Sequence, residues 1–593
     1  MRISRTSVAI GALAAVLIAA GLPALGQDRP ESILPPGFGD PVAAPTASPA
    51  PGATPRPSAS AAVTPVGPDG TTPTPSASAT PEVAATVDPE ALARYQMPEY
   101  ARRSLDQVGP VGLAEGGMAP GAFGRGNGVF LETLMRRLDT PIASRWLAIG
   151  LRRALMSRVD TPHGINGADF AAERAWLLLR MGEAQGARGV VQYVDPDNYT
   201  PKLFQMALQT ALANGDPAAL CSAADAGAEL RRERGWILAQ AMCAGLAGQP
   251  AKAQSLISAA RESGMASGID LMLAQKVAGS GAKGQQAVTI EWNSVDRLTV
   301  WRYGLATATG VEIPDALFAT TTPNVTAWRA LSPMLTAKAR ASAAEQAAVR
   351  GVFSNAALVD LYGAIDADED QSGAEVGIAR DLRTAYTADV PTRLDTLKSL
   401  WDEPKTADGR FARLILTARA AARIPVDAQG ADVDRLVASM LTAGLDRAAM
   451  RWHGKAPAYG DAWAMLALAD PDAAMLSYAD VRRYAPAGGD SLKRQMLFAG
   501  MAGLGRIPAA DISRGATALD VPIGEQNAWI NAIGHAAMAR EPGTVMLLAS
   551  VGMQTRLWRG VSPVALYHIV TALRAVGQEG EARMIAAEAI ARL

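Results

Sequence analysis

The sequence predicts an all-α protein whose body is a stack of antiparallel helix pairs, an α-solenoid or superhelix. Three observations point there. Hydrophobic residues make up 49% of the 593 positions but aromatic residues only 5%. The apolar material is therefore mostly Ala, Leu, Val and Met, which apart from Val rank among the best helix formers. Beyond Asp88, apolar residues recur at helical spacing in segments such as Ala171 to Met181, Gly235 to Ala247, Arg410 to Arg423 and Pro563 to Val576, with no sustained two-residue alternation. Breaks of Gly, Pro, Asn and Asp between such segments are short, and short connections make antiparallel neighbours.

The first residues, Met1-Arg2-Ile3-Ser4-Arg5, are basic; an apolar run from Val8 to Leu22 follows, then Ala24-Leu25-Gly26 before Gln27. A basic start, a short apolar core and a small-x-small site make an export signal, so residues 1–26 are expected to be a signal peptide cleaved after Gly26. The apolar run is shorter than the roughly 20 residues that span a bilayer comfortably. Its retention as an N-terminal membrane anchor is the other reading. No Cys lies near the site, which excludes the lipid-anchored form, and no later stretch is apolar and long enough to span. The expected location is the periplasm or envelope of a Gram-negative-type bacterium.

Residues 27–90 are punctuated by proline, as in Pro49-Ala50-Pro51, Pro55-Arg56-Pro57 and Pro73-Thr74-Pro75, with Ala, Ser and Thr between. Such a segment buries too little apolar surface to offset its ordering entropy, so a disordered linker is expected. In a polyproline-like conformation it would reach on the order of 100 to 190 Å. A passive tether is the plain reading, and a docking peptide for an aromatic groove the sharper one.

The remaining chain is too long for one compact core, since single cores stop growing at roughly 250 to 300 residues. Two helical-repeat regions are expected, 91–280 and 281–593. Within them a Leu-rich helix end, a Gly, four residues and then an Ala recur at Gly182 with Ala187, Gly248 with Ala253, Gly444 with Ala449 and Gly577 with Ala582. Gly closes the first helix by adopting the left-handed conformation, and the small Ala lets the second helix pack closely. The pattern resembles the inter-helix turn of tetratricopeptide-type repeats, most clearly in Leu246-Ala247-Gly248-Gln249-Pro250-Ala251-Lys252-Ala253 and from Leu573 to Ala582. The family's aromatic positions and terminal Pro are mostly missing, and the spacing between units is irregular. The resemblance implies helix-pair architecture alone, chiefly over 168–264 and 563–593.

Small-residue-plus-Trp pairs recur at Ala175-Trp176, Gly235-Trp236, Ala327-Trp328, Ala462-Trp463 and Ala528-Trp529. Each Trp is expected to fill a groove between helices beside a small residue; a ligand-stacking surface is the alternative. The two cysteines, Cys221 and Cys243, flank the polar break Arg231-Arg232-Glu233-Arg234. With a turn near residue 232 they sit at one level on antiparallel helices. After export, such a pair reads as a structural disulfide; two reduced core cysteines, or a redox or metal pair, are the alternatives.

No residue pattern seats a standard chemistry. The four histidines, His163, His453, His535 and His568, lack metal-ligand spacing, and Gly-x-Ser-x-Gly, phosphate-loop and dinucleotide motifs are missing. The cluster Asp366-Ala367-Asp368-Glu369-Asp370 departs from a calcium loop at Gln371 and Gly377, which leaves a solvated inter-helix turn. Glu262-Ser263 with Gly268 to Met272 faintly resembles elements of lytic transglycosylases, but the spacing is too short and no lysozyme-like block follows. Lys+Arg 56 against Asp+Glu 57 leaves a formal charge of -1, without the positive excess that nucleic acid binding uses.

No catalytic, cofactor or metal residue is assigned. The expected function is that of a noncatalytic envelope scaffold or binding protein whose helical-repeat surface holds a protein or cell-wall glycan partner. A cell-wall-acting enzyme with an unrecognised acidic site and a structural surface protein are the rival readings. Converging carboxylates in a deep pocket would favour the enzyme, and a groove lined by Trp, Tyr and Arg the scaffold.

Overall fold

The computed structural model describes residues 98–593, other than 125, 231–232, 282–286, 369 and 371. The signal and linker expected over 1–26 and 27–90 lie outside the described residues. Within these, the protein is all-α: 27 α-helices are joined by short turns. The strands are two-residue segments, Gln107–Val108 and Val159–Asp160, paired antiparallel. No helix of the described residues is long and apolar enough to cross a membrane.

Local sequence explains most helix starts. The side chains of Asn127, Ser144, Asn166, Thr200, Ser354, Thr406 and Ser562 each accept a backbone N–H of the first turn that follows, which satisfies a donor the helix cannot. The four predicted closures are all present. Gly182, Gly248, Gly444 and Gly577 have φ of 93°, 72°, 71° and 78°, and Ala187, Ala253, Ala449 and Ala582 are buried. At Gly182 a side chain would also collide with Ala327, its Cβ 2.5 Å from that residue's own.

The helices on either side of each closure pack together: Gly167–Met181 with Ala184–Tyr193, Arg234–Leu246 with Pro250–Glu262, Val433–Thr442 with Asp446–Met450, and Pro563–Ala575 with Glu579–Arg592. A contact absent from any elongated array joins the two ends of the body. The Arg145–Met156 helix lies against Pro542–Val551 and Glu579–Arg592. Gly150 permits this approach, since a Cβ there would come within 2.9 Å of the Met546 side chain. Arg145 is buried at the junction and donates to the carbonyls of Ala348, Phe353 and Thr442, so one guanidinium serves three further segments. The apolar core accordingly runs on both sides of residue 280, with a second cluster among residues 327–416.

Two of these Trp residues fill grooves against glycines that are not their neighbours in sequence. Trp236 covers Gly227, and Trp529 covers Gly552; a Cβ on either glycine would fall 2.4 or 2.6 Å from the indole. Trp176, Trp236 and Trp328 are buried, while Trp463 and Trp529 are partly so.

Cys221 and Cys243 form a disulfide with a Cα–Cα distance of 5.3 Å. The helices Ala224–Leu230 and Arg234–Leu246 pack together on either side of the expected turn, whose Arg231 and Arg232 lie outside the described residues. Cys221, however, is not on a helix. It follows the 3-10 turn Pro217–Leu220, because the first helix is only two turns long, so the bridge ties that turn to the longer helix.

Candidate functional site

Six elements of the chain converge on an open cleft of about 480 Å³. They are the end of helix Val390–Asp402, the start of Ala407–Ala421, the first turns of Val433–Thr442 and Ser491–Gly503, and the 3-10 turn Trp558–Gly560 facing the end of Glu579–Arg592. Arg410, Arg435, Lys493, Arg559 and Arg592 line it together with Trp401, Phe411, Leu557, Trp558 and Leu593; Asp408 is the one acidic side chain in the lining.

Each cation is held by its own local chemistry. Asp432 caps the Val433–Thr442 helix by accepting from the Arg435 backbone N–H at 3.1 Å, and its other oxygen takes the Arg435 Nε at 2.6 Å. The guanidinium then lies 5.1 Å from the ring centre of Trp401, whose own indole N–H donates to Thr417 at 2.8 Å. Arg592 lies 4.4 Å over the Phe411 ring and donates to the Ala143 carbonyl. Stacking of this kind fixes the plane of the guanidinium while leaving its edge free to bond. Lys493 is neutralised by Asp461 at 2.7 Å, a carboxylate that also accepts from the Tyr484 hydroxyl. Arg559 pairs with Asp490. Arg410 is exposed and donates to the carbonyls of Pro404 and Lys405. The buried indole N–H of Trp558 has no acceptor.

A larger cavity, about 930 Å³, lies beside the two-stranded ribbon and mixes Arg102, Arg103 and Arg158 with Asp106, Asp160 and His163. One wall is the irregular segment 102–106, close to the first described residue.

Three carboxyls are pushed above their ordinary range, each mainly by burial: Glu183, Glu345 and Asp434. None lines either cavity. Glu183 meets Arg152 at 2.9 Å, Glu345 accepts from Tyr362 and Arg413, and Asp434 accepts from the Ala462 backbone. Each is thus engaged in a packed contact with its neighbours.

Glu183 nevertheless gives the body a pH response. Burial raises it from 4.5 to about 7, against the pull of Arg152 and Arg145. The fold thus favours the neutral acid, so its contribution to stability is full below about pH 4.5 and is lost as pH climbs through 7. Between pH 5 and 8 the protein should lose up to about 3 kcal/mol relative to a Glu183→Gln variant, at 1.36 kcal/mol per unit. Urea titrations of both proteins across that range check this; parallel curves would contradict it.

The residues singled out from sequence lie apart from the cleft. Glu262 is exposed at the end of its helix, and Asp270 is occupied by Arg302. Asp366, the last residue of the helix Asn355–Asp366, pairs with Arg383 of the helix Ala374–Thr387; Glu369 and Gln371 lie outside the described residues. His163 borders the larger cavity, His453 and His535 are exposed, and His568 packs edge-on to Trp529. Among the described residues no group of His, Cys, Asp and Glu could hold a metal ion. The cleft arginines are not legible in the sequence because they are single residues on separate elements that share no motif.

Compared with protein-family models, with curated proteins and with solved structures, the chain finds no significant match in any of the three.

Proposed function

We propose that this protein is a noncatalytic scaffold or binding protein of the cell envelope, which holds a protein or cell-wall glycan partner on its helical surface. The observation that carries the reading is the contrast between cleft and carboxyls. The open cleft presents guanidinium groups stacked on aromatic rings, the side chains that dominate binding hot spots. The carboxyls with raised proton affinity are consumed by packing. Export would place the body outside the cytoplasm, with residues 27–90 as its tether.

Affinity capture of the full-length protein from crosslinked envelope tests this. The expected result is a saturable partner retained at stoichiometric amounts, with no soluble product released when purified cell wall is incubated with the protein. Release of wall fragments in proportion to enzyme and time would overturn the proposal in favour of a hydrolase or lyase.

A further inference from the structure

The larger cavity opens where two paired segments part. Along the ribbon, Gln107–Val108 pairs with Val159–Asp160, and Thr161 extends the pairing by donating its backbone N–H to the Asp106 carbonyl and its hydroxyl to that of Leu105. Past this point the segments are anchored to different helices. The Arg103 backbone N–H donates to Asp195 at 2.6 Å, and its guanidinium donates to the carbonyls of Gln192 and Tyr193, at the end of Ala184–Tyr193. The His163 carbonyl instead accepts from Gly128, the first residue of Gly128–Arg137. The gap between these anchors holds about 930 Å³, within the ordinary range for a small-ligand site.

Four charges of its lining, Arg102, Asp106, Arg158 and Asp160, enter no ion pair among the described residues. Two of them are nevertheless held in place, by neutral groups. The Arg158 guanidinium lies 5.2 Å from the ring centre of Tyr193, and its Nε reaches only the Gly109 carbonyl, at 3.5 Å. Asp160 accepts from the Gln107 side-chain amide at 2.7 Å through one oxygen. A ring face and an amide orient a charge without neutralising it. Arg103 differs: it also covers Tyr193, at 5.1 Å, but Asp195 matches its charge, so it steadies the ring. Val159, between Arg158 and Asp160, is buried. Alternation along an extended segment therefore sends both charged side chains out on the same face.

A cation and an anion thus stand side by side in one concavity, each oriented and each without a counter-ion. A purely acidic ligand would meet Asp106 and Asp160, and a purely basic one Arg102 and Arg158; such like-charge contacts count against both. A neutral sugar would displace water from all four charges and return none of the charge pairing. A ligand that carries both signs answers each in turn, its carboxylate on the planar guanidinium fork and its ammonium on the open carboxylate oxygen.

We propose that this cavity binds a short zwitterionic peptide of the kind that branches from cell-wall glycan, with a carboxylate read by Arg158 and an ammonium by Asp160. Arg102 and Asp106, both exposed, add a second charge of each sign. The inference rests on the envelope reading only in that export brings such peptides within reach.

Calorimetric titration of the full-length protein tests it with the tripeptide Ala-Glu-Lys, free at both ends. The comparison ligands are the same peptide acetylated on both amines, the amidated peptide Ala-Gln-Lys-amide, and the neutral disaccharide chitobiose. Ala-Glu-Lys should bind saturably and about tenfold or more tighter than either blocked peptide, and chitobiose should give no heat of binding. Arg158→Gln should abolish the advantage over the amidated peptide. Asp160→Asn, which keeps an acceptor for Gln107, should abolish the advantage over the acetylated one. Circular dichroism should be unchanged in both variants.

Equal affinity for the three peptides, no saturable binding, or variants that keep both advantages would overturn the inference. So would binding of chitobiose in place of the peptide. The two proposals fail separately. Loss of the peptide preference rejects this cavity and leaves a partner captured from envelope to support the scaffold reading, whereas release of wall fragments rejects the scaffold reading whichever peptide binds.

Discussion

Replacing Glu588 by Ala is expected to destabilise the body by about 3–5 kcal/mol, the range for removing one partner of a buried ion pair. Its carboxylate is buried in the Glu579–Arg592 helix, yet it closes the start of the Arg145–Met156 helix, 443 residues away in sequence from Arg145. It accepts from the Ser144 hydroxyl at 2.6 Å and from the backbone N–H groups of Arg145 and Trp146 at 2.9 and 3.3 Å. It also pairs with Arg592 at 3.2 Å. A helix N-terminus offers unpaired N–H groups and a positive dipole end, so an anion there is doubly favoured. Alanine strands all of these donors out of reach of water. Glu588→Gln keeps the volume and one acceptor and should cost less, about 1–3 kcal/mol. Chemical denaturation of the full chain measures both. A loss under about 1 kcal/mol for alanine would mean that the contact between the ends of the body carries little of its stability.

The second large effect is expected at the disulfide. Changing both Cys221 and Cys243 to Ala should cost about 3 kcal/mol, because the bridge closes a loop with a sequence separation of 22 and restricts the unfolded chain. Cys221 is exposed and Cys243 only partly buried, so little packing is lost and the effect arises mainly in the unfolded state. The melting midpoint should fall under reducing conditions for the wild type and stay fixed for the double-Ala variant. Capture of the envelope partner should persist in both, since the bridged elements supply none of the cleft's lining. A variant as stable as the wild type that has lost binding would make the thiols functional and the structural reading wrong.

The two predictions stand at different distances from the sequence. The cystine was expected from a polar break and two equidistant cysteines, and it is present, although Cys221 proves to follow a 3-10 turn rather than ride on a helix. The same short range governs the other features legible without coordinates. A Gly takes the left-handed conformation because its neighbours in sequence end a helix there, and a buried Ala five residues on follows from one turn's geometry. Helical class itself follows from periodicity within single segments.

Glu588 shows where that reasoning stops. Nothing in Ala587-Glu588-Ala589 distinguishes a buried anion from the solvated glutamates of any helix; its role depends on Ser144 arriving from the opposite end of the body. The cleft is of the same kind, assembled from residues between Trp401 and Arg592 that share no motif and acquire a common chemistry by facing one another. Glu183 likewise owes its raised proton affinity to burial. Sequence alone therefore determined the helical class, the four glycine closures and the cysteine pairing, since these rest on backbone preferences and spacings within a few tens of residues. Only the tertiary structure decided the joining of the ends, the donor-rich cleft and the buried carboxyls, because desolvation and charge depend on which distant side chains exclude water from a site.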